Sequence, residues 1–464
     1  MGGEFKDECG VFGLSLKDRS DYMVRHMFLG LFSLQHRGQE SCGISYETDD
    51  GIEVVKSRGL VSGDFLENLP KNVSSKIAVG HVRYATCGAS NLINAQPLIF
   101  KSNKGDVAIA HNGNLPNSER LKRDLLLKGA IFQTTSDSEI LIHLMSMLPG
   151  SDFETSLIDS LKTLEGAYAM LVMSNDKLIA FRDPQGFRPL SYGFINEGVV
   201  FSSETAALTI IGAHDITTVK PGELIVCSNG AIIKKIDLSG GQKPAQCVFE
   251  LIYFARPDSV VFDEAVYQFR LRVGRKLAQN RHKDTDLVIP VPDSGNVSAL
   301  GFSRESGIPF DLSLMRNHYT GRTFIKPGQQ LREDSVKMKL NPVATEIRGK
   351  TLSIIDDSLV RGTTSKKIVK MLREAGAKEV HVYLASPEII GSCYYGINTP
   401  TTDELISAQN KPVEIAKIIG ADSVTFLSVA DLKECLTDSN AFCYACFNRE
   451  YPTTIDELSC KGCF

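Results

Sequence analysis

A chain of 464 residues exceeds what one hydrophobic core ordinarily supports, so two domains are expected. With 42% hydrophobic and 23% charged residues the composition is that of a globular protein, which excludes extensive disorder. The net charge of -4 gives no general attraction to nucleic acid. No stretch approaches the roughly 20 apolar residues of a membrane span, and the short polar run Met1–Glu8 is no secretory signal. Eleven cysteines, an odd number without an export signal, argue against a disulfide framework and for a cytoplasmic chain whose thiols are core residues, metal ligands or nucleophiles.

In chain order, residues 9 to 240 carry short apolar runs broken by Gly, Asn and Asp. Strands are predicted around Ile52–Val55, Lys76–Gly80, Val107–Ala110 and Ala169–Met173, and helices over Tyr22–Gln35 and Ser136–Met147. Strands in runs with helices between them predict an α+β layered unit. The stretch from Leu238 to Pro244 is the most linker-like, and beyond it the pattern changes. Leu287–Val291 and Thr351–Ile355 read as buried parallel strands, and the second leads through a polar loop into an amphipathic helix over Ser365–Ala375. That is one half of a doubly wound sheet.

The loop Asp356-Asp357-Ser358-Leu359-Val360-Arg361-Gly362-Thr363-Thr364 joins that strand to that helix. Backbone N–H groups at a helix start favour phosphate, and adjacent carboxylates at a strand's carboxyl end suit Mg²⁺ on a sugar diphosphate. The pair of aspartates alone is equally well a solvated turn. The nine-residue string resembles the phosphoribosylpyrophosphate signature of type I phosphoribosyltransferases. That resemblance implies that Asp356 and Asp357 hold the ribose hydroxyls and Mg²⁺, while Ser358, Arg361, Gly362, Thr363 and Thr364 belong to the segment around the 5′-phosphate. Val291-Pro292-Asp293-Ser294-Gly295, otherwise a turn, is similar to the family's pyrophosphate-side loop and makes Ser294 a further metal contact. The segment from Arg316 to Arg332 is cationic without an acid; it resembles the family's mobile loop, with Arg322, Lys326 and Arg332 neutralising the diphosphate and closure excluding water.

Nearer the amino terminus stands Glu8-Cys9-Gly10-Val11-Phe12-Gly13. A thiol nucleophile needs a base, and no Cys–His pair is evident. A free α-amine, of pKa roughly 7.7–8.0, serves where the nucleophile is the first residue, which requires removal of residues 1–8. His36–Ser41, Gly80–Thr86, His111–Leu115 and Thr135–Glu139 each have an ordinary reading: a helix cap, a core strand, a tight Asn-Gly turn and an N-cap. Their order and spacing together resemble N-terminal-nucleophile glutamine amidotransferases. By that resemblance Cys9 attacks the glutamine amide, Asn112 and the Gly113 N–H form the oxyanion hole, Arg83 takes the substrate carboxylate and Asp137 its ammonium.

Cys443-Tyr444-Ala445-Cys446 and Cys460-Lys461-Gly462-Cys463 are two C-x-x-C pairs, and read alone they suggest a zinc ribbon. The contexts of Cys247 (Cys247–Ser259) and Cys393 (Gly391–Ile397) instead resemble an iron–sulfur subgroup, which implies a structural [4Fe–4S] cluster on Cys247, Cys393, Cys443 and Cys446. Cys460 and Cys463 are then tail thiols, and Cys42, Cys87, Cys227 and Cys435 small core hydrophobes.

The whole chain from Cys9 to about Pro452 is thus identified as resembling the glutamine phosphoribosylpyrophosphate amidotransferases. The resemblance implies a leader (1–8), an αββα N-terminal-nucleophile glutamine domain (9–240), and an α/β type I phosphoribosyltransferase domain with a cluster-binding end (241–464). The implied reaction makes 5-phosphoribosylamine, glutamate and pyrophosphate from phosphoribosylpyrophosphate, glutamine and water, the first committed step of purine synthesis. Mg²⁺ and the cluster are the implied cofactors, purine nucleotides the feedback inhibitors, and a homotetramer the assembly, with no nucleic-acid or membrane partner. An amino-sugar-forming amidotransferase is disfavoured by the Asp356–Thr364 loop. A non-catalytic, redox-sensing binder of phosphoribosylpyrophosphate or nucleotides is disfavoured by retention of every catalytic candidate.

Overall fold

A computed structural model describes residues 9–70, 73–84, 91–148, 150–174, 176–317 and 339–455. The first half lays down thirteen strands: β1 (Gly10–Ser20), β2 (Ser41–Thr48), β3 (Gly51–Arg58), β4 (Ser75–Arg83), β5 (Leu98–Ser102), β6 (Gly105–Asn114), β7 (Ala167–Ser174), β8 (Lys177–Arg182), β9 (Ser191–Ile195), β10 (Gly198–Ser202), β11 (His214–Thr218), β12 (Glu223–Ser228) and β13 (Ala231–Asp237). They form a seven-stranded sheet, β11-β9-β10-β1-β4-β2-β3, and a six-stranded sheet, β13-β12-β8-β7-β6-β5.

Strand alternation places these sheets face to face. On β7, Ala169, Leu171 and Met173 point between the sheets, where they meet Val11, Val79 and Ala110. Tyr168, Met170 and Val172 point the other way, onto the helices Ser118–Leu127, Glu139–Ser146 and Phe153–Leu161. Likewise Phe12, Leu14 and Leu16 of β1 face the helix Tyr22–Ser33. Burial on both faces is why the sequence shows continuous apolar runs rather than alternation. The sheets approach so closely at Gly13 that a Cβ there would lie 2.8 Å from Leu171 Cδ1.

The second half begins with β14 (Gln246–Cys247) and the small hairpin β15 (Val260–Val261) and β16 (Glu264–Ala265). Then follow β17 (Leu287–Pro290), β18 (Leu314–Arg316), β19 (Leu340–Pro342), β20 (Thr351–Asp356), β21 (Glu379–Leu384), β22 (Ser423–Phe426) and β23 (Phe442–Cys443). A parallel sheet, β17-β20-β21-β22, carries helices Val266–Ala278 and Asn296–Ser306 on one face and Thr363–Glu374 and Pro412–Ile419 on the other. The last strand returns to the first: β23 pairs in parallel with β14, setting Cys247 against Cys443.

The helix predicted over Ser365–Ala375 starts at Thr363, because Gly362, at φ +73°, makes the turn into it. Asn112-Gly113 is no tight turn; it continues β6, opposite Ala169 and Tyr168. No described helix is long and apolar enough to cross a membrane. Leu171 is fully buried between the sheets, so Leu171→Ala is expected to destabilise the first unit by ~2–5 kcal/mol in equilibrium urea unfolding.

Candidate active sites and the junction between them

Cys9 immediately precedes β1, and antiparallel pairing sets Gly10 against Val82 and Val11 against His81. The thiol therefore lies beside the end of β4, with Sγ 3.4 Å from the Tyr84 carbonyl oxygen. His81 crosses to the other sheet, its Nε2 lying 3.0 Å from the carbonyl oxygen of His111. This contact brings the end of β6, with Asn112 and Gly113, to the same end of the sandwich as Cys9 and Arg83.

Asn112 is 1% exposed, and its side-chain Nδ2 has no acceptor among the described residues. A buried donor left unpaired costs about 1–3 kcal/mol, a cost met where a ligand is to supply the acceptor. Gly113 has φ +149°, and a Cβ there would stand 2.0 Å from the Ala167 carbonyl oxygen, so only glycine fits. Asp137 is nearby: Oδ2 accepts from the Leu115 N–H at 3.1 Å, and Oδ1 lies 3.7 Å from His111 Nδ1. Arg83 is buried, with Nη1 4.0 Å from Glu40 Oε2. Burial lowers His81 to about 3 and depresses His111 too, so both imidazoles are neutral. The fold thus brings all five predicted glutamine-site residues together.

In the second half, β20 ends at Asp356. The Asp357 N–H donates to Asp356 Oδ1 at 2.9 Å, and the Ser358 hydroxyl donates to the Asp357 carboxylate. Arg361 Nη2 donates to Glu404 at 2.6 Å, while its Nε is buried without a partner among the described residues. Gly362, Thr363 and Thr364 lead into the twelve-residue helix Thr363–Glu374, whose first N–H groups face this loop. The loop of Ser294 is its neighbour: the Val291 N–H donates to the Ile355 carbonyl at 2.8 Å, and a Cβ on Gly295 would reach 2.3 Å from the same oxygen. Asp293 is held by Arg316, at the end of β18. Arg322, Lys326 and Arg332 lie outside the described residues.

Cys247, Cys393, Cys443 and Cys446, from three separate segments, line one small carbon-walled cavity with Phe187, Phe249, Tyr395 and Tyr451. Burial, then the proximity of the other three thiols, raises the Cys446 pKa well above its ordinary value. Cys42, Cys227 and Cys435 are buried core residues, as expected. Cys87, Cys460 and Cys463 lie outside the described residues.

A buried ionic network joins the two halves of the chain. Arg37 donates from Nε to the carbonyl oxygen of Cys9 at 3.0 Å, from Nη1 to Glu204 at 2.7 Å and from Nη2 to Glu250 at 2.6 Å. His36 Nε2 lies 2.6 Å from Glu204. Burial alone would raise the Glu204 carboxyl, but His36 and Arg37 outweigh it and hold the group well below the carboxylate range. Arg188 meets Glu250 at 3.4 Å and donates from Nε to the Tyr395 carbonyl at 2.9 Å. Tyr395 stacks on Phe187 at 4.1 Å, and Asn114 Nδ2 donates to the Tyr394 carbonyl at 3.0 Å.

Sequence reasoning assigned no role to Arg37, Arg188, Glu204 or Glu250. The available signal was Glu250 itself, a lone acid within Val248-Phe249-Glu250-Leu251-Ile252. Such a residue is buried and paired or it is not tolerated. Arg37→Met removes the cation that Glu204 and Glu250 share and leaves them only His36 and Arg188, and a loss of ~3–5 kcal/mol is expected in thermal or urea unfolding. A change below 1 kcal/mol would show that the network is solvated.

Comparison with known proteins places the chain in a family. Residues 81–210 match a glutamine amidotransferase domain. The chain is 46% identical to amidophosphoribosyltransferase 2, chloroplastic, of Arabidopsis thaliana, covering 99% of this chain and 82% of that protein. It is 43% identical to the amidophosphoribosyltransferase of Methanocaldococcus jannaschii, covering 97% and 98%. Among solved structures, a B. subtilis glutamine phosphoribosylpyrophosphate amidotransferase complexed with ADP and GMP superposes with a TM-score of 0.90 at 43% identity, over 97% of this chain and 98% of that one. The fold is accordingly an N-terminal-nucleophile glutamine domain followed by a type I phosphoribosyltransferase domain, and the chain belongs to the amidophosphoribosyltransferase family.

Proposed function

We propose that the chain converts phosphoribosylpyrophosphate, glutamine and water into 5-phosphoribosylamine, glutamate and pyrophosphate, the first committed step of purine synthesis, with the residues above in the following roles. The observation that carries this reading is the gathering of Cys9, Arg83, Asn112, Gly113 and Asp137 at one end of a chain that also holds the Asp356–Thr364 loop. The non-catalytic alternative is not favoured, since full-length relatives are transferases.

Cleavage before Cys9 converts its amide nitrogen, which cannot take a proton, into an amine of pKa roughly 7.7–8.0 that can. The thiolate attacks the glutamine amide carbon, the C–N bond breaks with the proton passing to ammonia, and a thioester remains. Water then splits the thioester to glutamate and regenerates the thiol. Asn112 Nδ2 and the Gly113 N–H stabilise the oxyanion of both steps. Arg83 pairs with the substrate carboxylate as a planar fork, and Asp137 with its ammonium. In the second domain ammonia forms a C–N bond at the anomeric carbon as pyrophosphate leaves. Free ammonia is mostly protonated at neutral pH, so internal passage between the sites keeps it nucleophilic.

Asp356, Asp357 and Ser294 offer the hard oxygen donors that suit Mg²⁺, which would neutralise the departing pyrophosphate. Ser358, Arg361, Gly362, Thr363 and Thr364 surround the 5′-phosphate at a helix start. The chemistry of the four thiols fits a [4Fe–4S] cluster. Its part is structural, joining β14 to β23. The ADP and GMP complex of the B. subtilis relative supports purine nucleotides as regulators. Domain limits of 9–240 and 241–464, cytoplasmic placement and a homotetramer complete the reading.

Cys9→Ala is expected to lose glutamine-dependent synthesis while retaining ammonia-dependent synthesis at high pH; loss of both would assign Cys9 a different part. Asn112→Ala should lower glutamine kcat by about 10²–10³ and leave the ammonia reaction intact. Anaerobically purified Cys393→Ser should lose most of its iron and labile sulfide, whereas Cys460→Ser should keep both. Wild-type protein that holds zinc with neither iron nor sulfide, and loses that zinc in Cys460→Ser, would favour the C-terminal zinc ribbon.

A further inference from the structure

The carboxyl ends of the parallel strands hold the Asp356 loop; the amino ends hold a second cluster to which the reaction assigns no part. At the start of β21, Glu379 pairs with Thr351, and His381, two residues on and so on the same face, stands between Ser353 and Ser423 of the flanking strands. His282, in the connection from helix Val266–Ala278 to β17, lies over this end. Its backbone N–H donates to the Tyr383 hydroxyl oxygen at 2.8 Å, and its ring stacks on that of His381 at 4.0 Å and 18°. One ligand atom each from His282, Glu379 and His381 lies within 4.8 Å of the other two.

Two further observations point to a ligand. His381 Nδ1 lies 2.8 Å from Ser423 Oγ, and Nε2 lies 3.3 Å from Glu379 Oε2. Ser423 thus anchors one ring nitrogen, and the other is directed at the Glu379 carboxylate, where a cation replaces the shared proton. An imidazole anchored through its far nitrogen is the outer-sphere arrangement of metal-binding histidines. The second is His282 Nδ1, which is buried and has no partner among the described residues. Stacked rings cannot aim both lone pairs at one ion. The half-buried His282 is the ring that must turn, while Ser423 fixes its neighbour.

We propose that His282, Glu379 and His381 form a binding site for a divalent transition metal of the zinc type, completed by water, at the amino-terminal end of the phosphoribosyltransferase sheet. Two imidazoles and one carboxylate are a donor set for such ions and a poor one for Mg²⁺, so the substrate's metal does not compete for it. The ion staples the segment entering β17 to β21, on the side of the sheet away from the phosphate loop.

The test is equilibrium dialysis of the full-length, cluster-loaded protein against zinc in the presence of Mg²⁺, with metal counted by atomic emission. The wild type should hold one more zinc per chain than His381→Gln or His282→Asn, with glutamine-dependent synthesis in Mg²⁺ unchanged in both. Ser423→Ala should keep the stoichiometry and bind ~10–100-fold more weakly. A double variant, Cys460→Ser with Cys463→Ser, should retain the same ion. Equal zinc in wild type and both histidine variants, or none in the wild type, overturns the proposal. His282 is half-buried on a connecting segment, so its variant keeps the test usable should His381→Gln fail to fold.

Discussion

Two arginines and two glutamates withdrawn from water would each cost several kcal/mol if left alone, yet the chain places them at the junction of its halves. Arg37 makes this tolerable. Its planar fork meets Glu204 and Glu250 together, and its remaining N–H reaches the carbonyl of Cys9. Glu250 is shared in turn with Arg188, which holds the loop bearing Cys393 through the Tyr395 carbonyl. The main chain at Cys9 is therefore positioned from the second domain as well as by β1. Tyr395 is thus linked to Cys9 through two ion pairs, Arg188–Glu250 and Glu250–Arg37.

What could be read in the sequence follows how local each signal is. The Asp356–Thr364 loop is nine consecutive residues between an apolar strand and an amphipathic helix, so its placement was legible. The helix Tyr22–Ser33 and strand β7 were equally plain, because packing on one or both faces leaves a periodic or continuous apolar record. Asn112-Gly113 carries the local preference of a turn, and pairing with β7 overrides it. The meeting of Cys247 and Cys393 with Cys443 and Cys446 rests on contacts between remote segments, which no spacing rule encodes; only resemblance proposed it. The ionic network was illegible for the same reason. A buried Glu announces that it needs a cation, but not that the cation is Arg37.

Both candidate sites keep unused hydrogen-bonding capacity out of water. Asn112 Nδ2 at the glutamine end and Arg361 Nε at the phosphate end are buried donors without acceptors among the described residues. The buried Arg270 guanidinium, by contrast, reaches the carbonyl oxygens of Leu251, Tyr253 and Ala255. Donors fixed in advance need no reorganisation when negative charge appears beside them, which is what oxyanion and phosphate recognition require. The neutral histidines 81 and 111 serve the same end, since they hold β4 and β6 together without adding a competing charge.

The pairing of β14 with β23 has a consequence for biogenesis. Every strand of the glutamine sandwich finds its neighbours within the first half of the chain, so that half can mature while the ribosome is still making the rest. Cys247 emerges early but meets Cys443 and Cys446 only once nearly the whole polypeptide has been released. The thiol cavity therefore cannot close before Cys443 and Cys446 have emerged, and until then its earliest member waits in an unfinished wall.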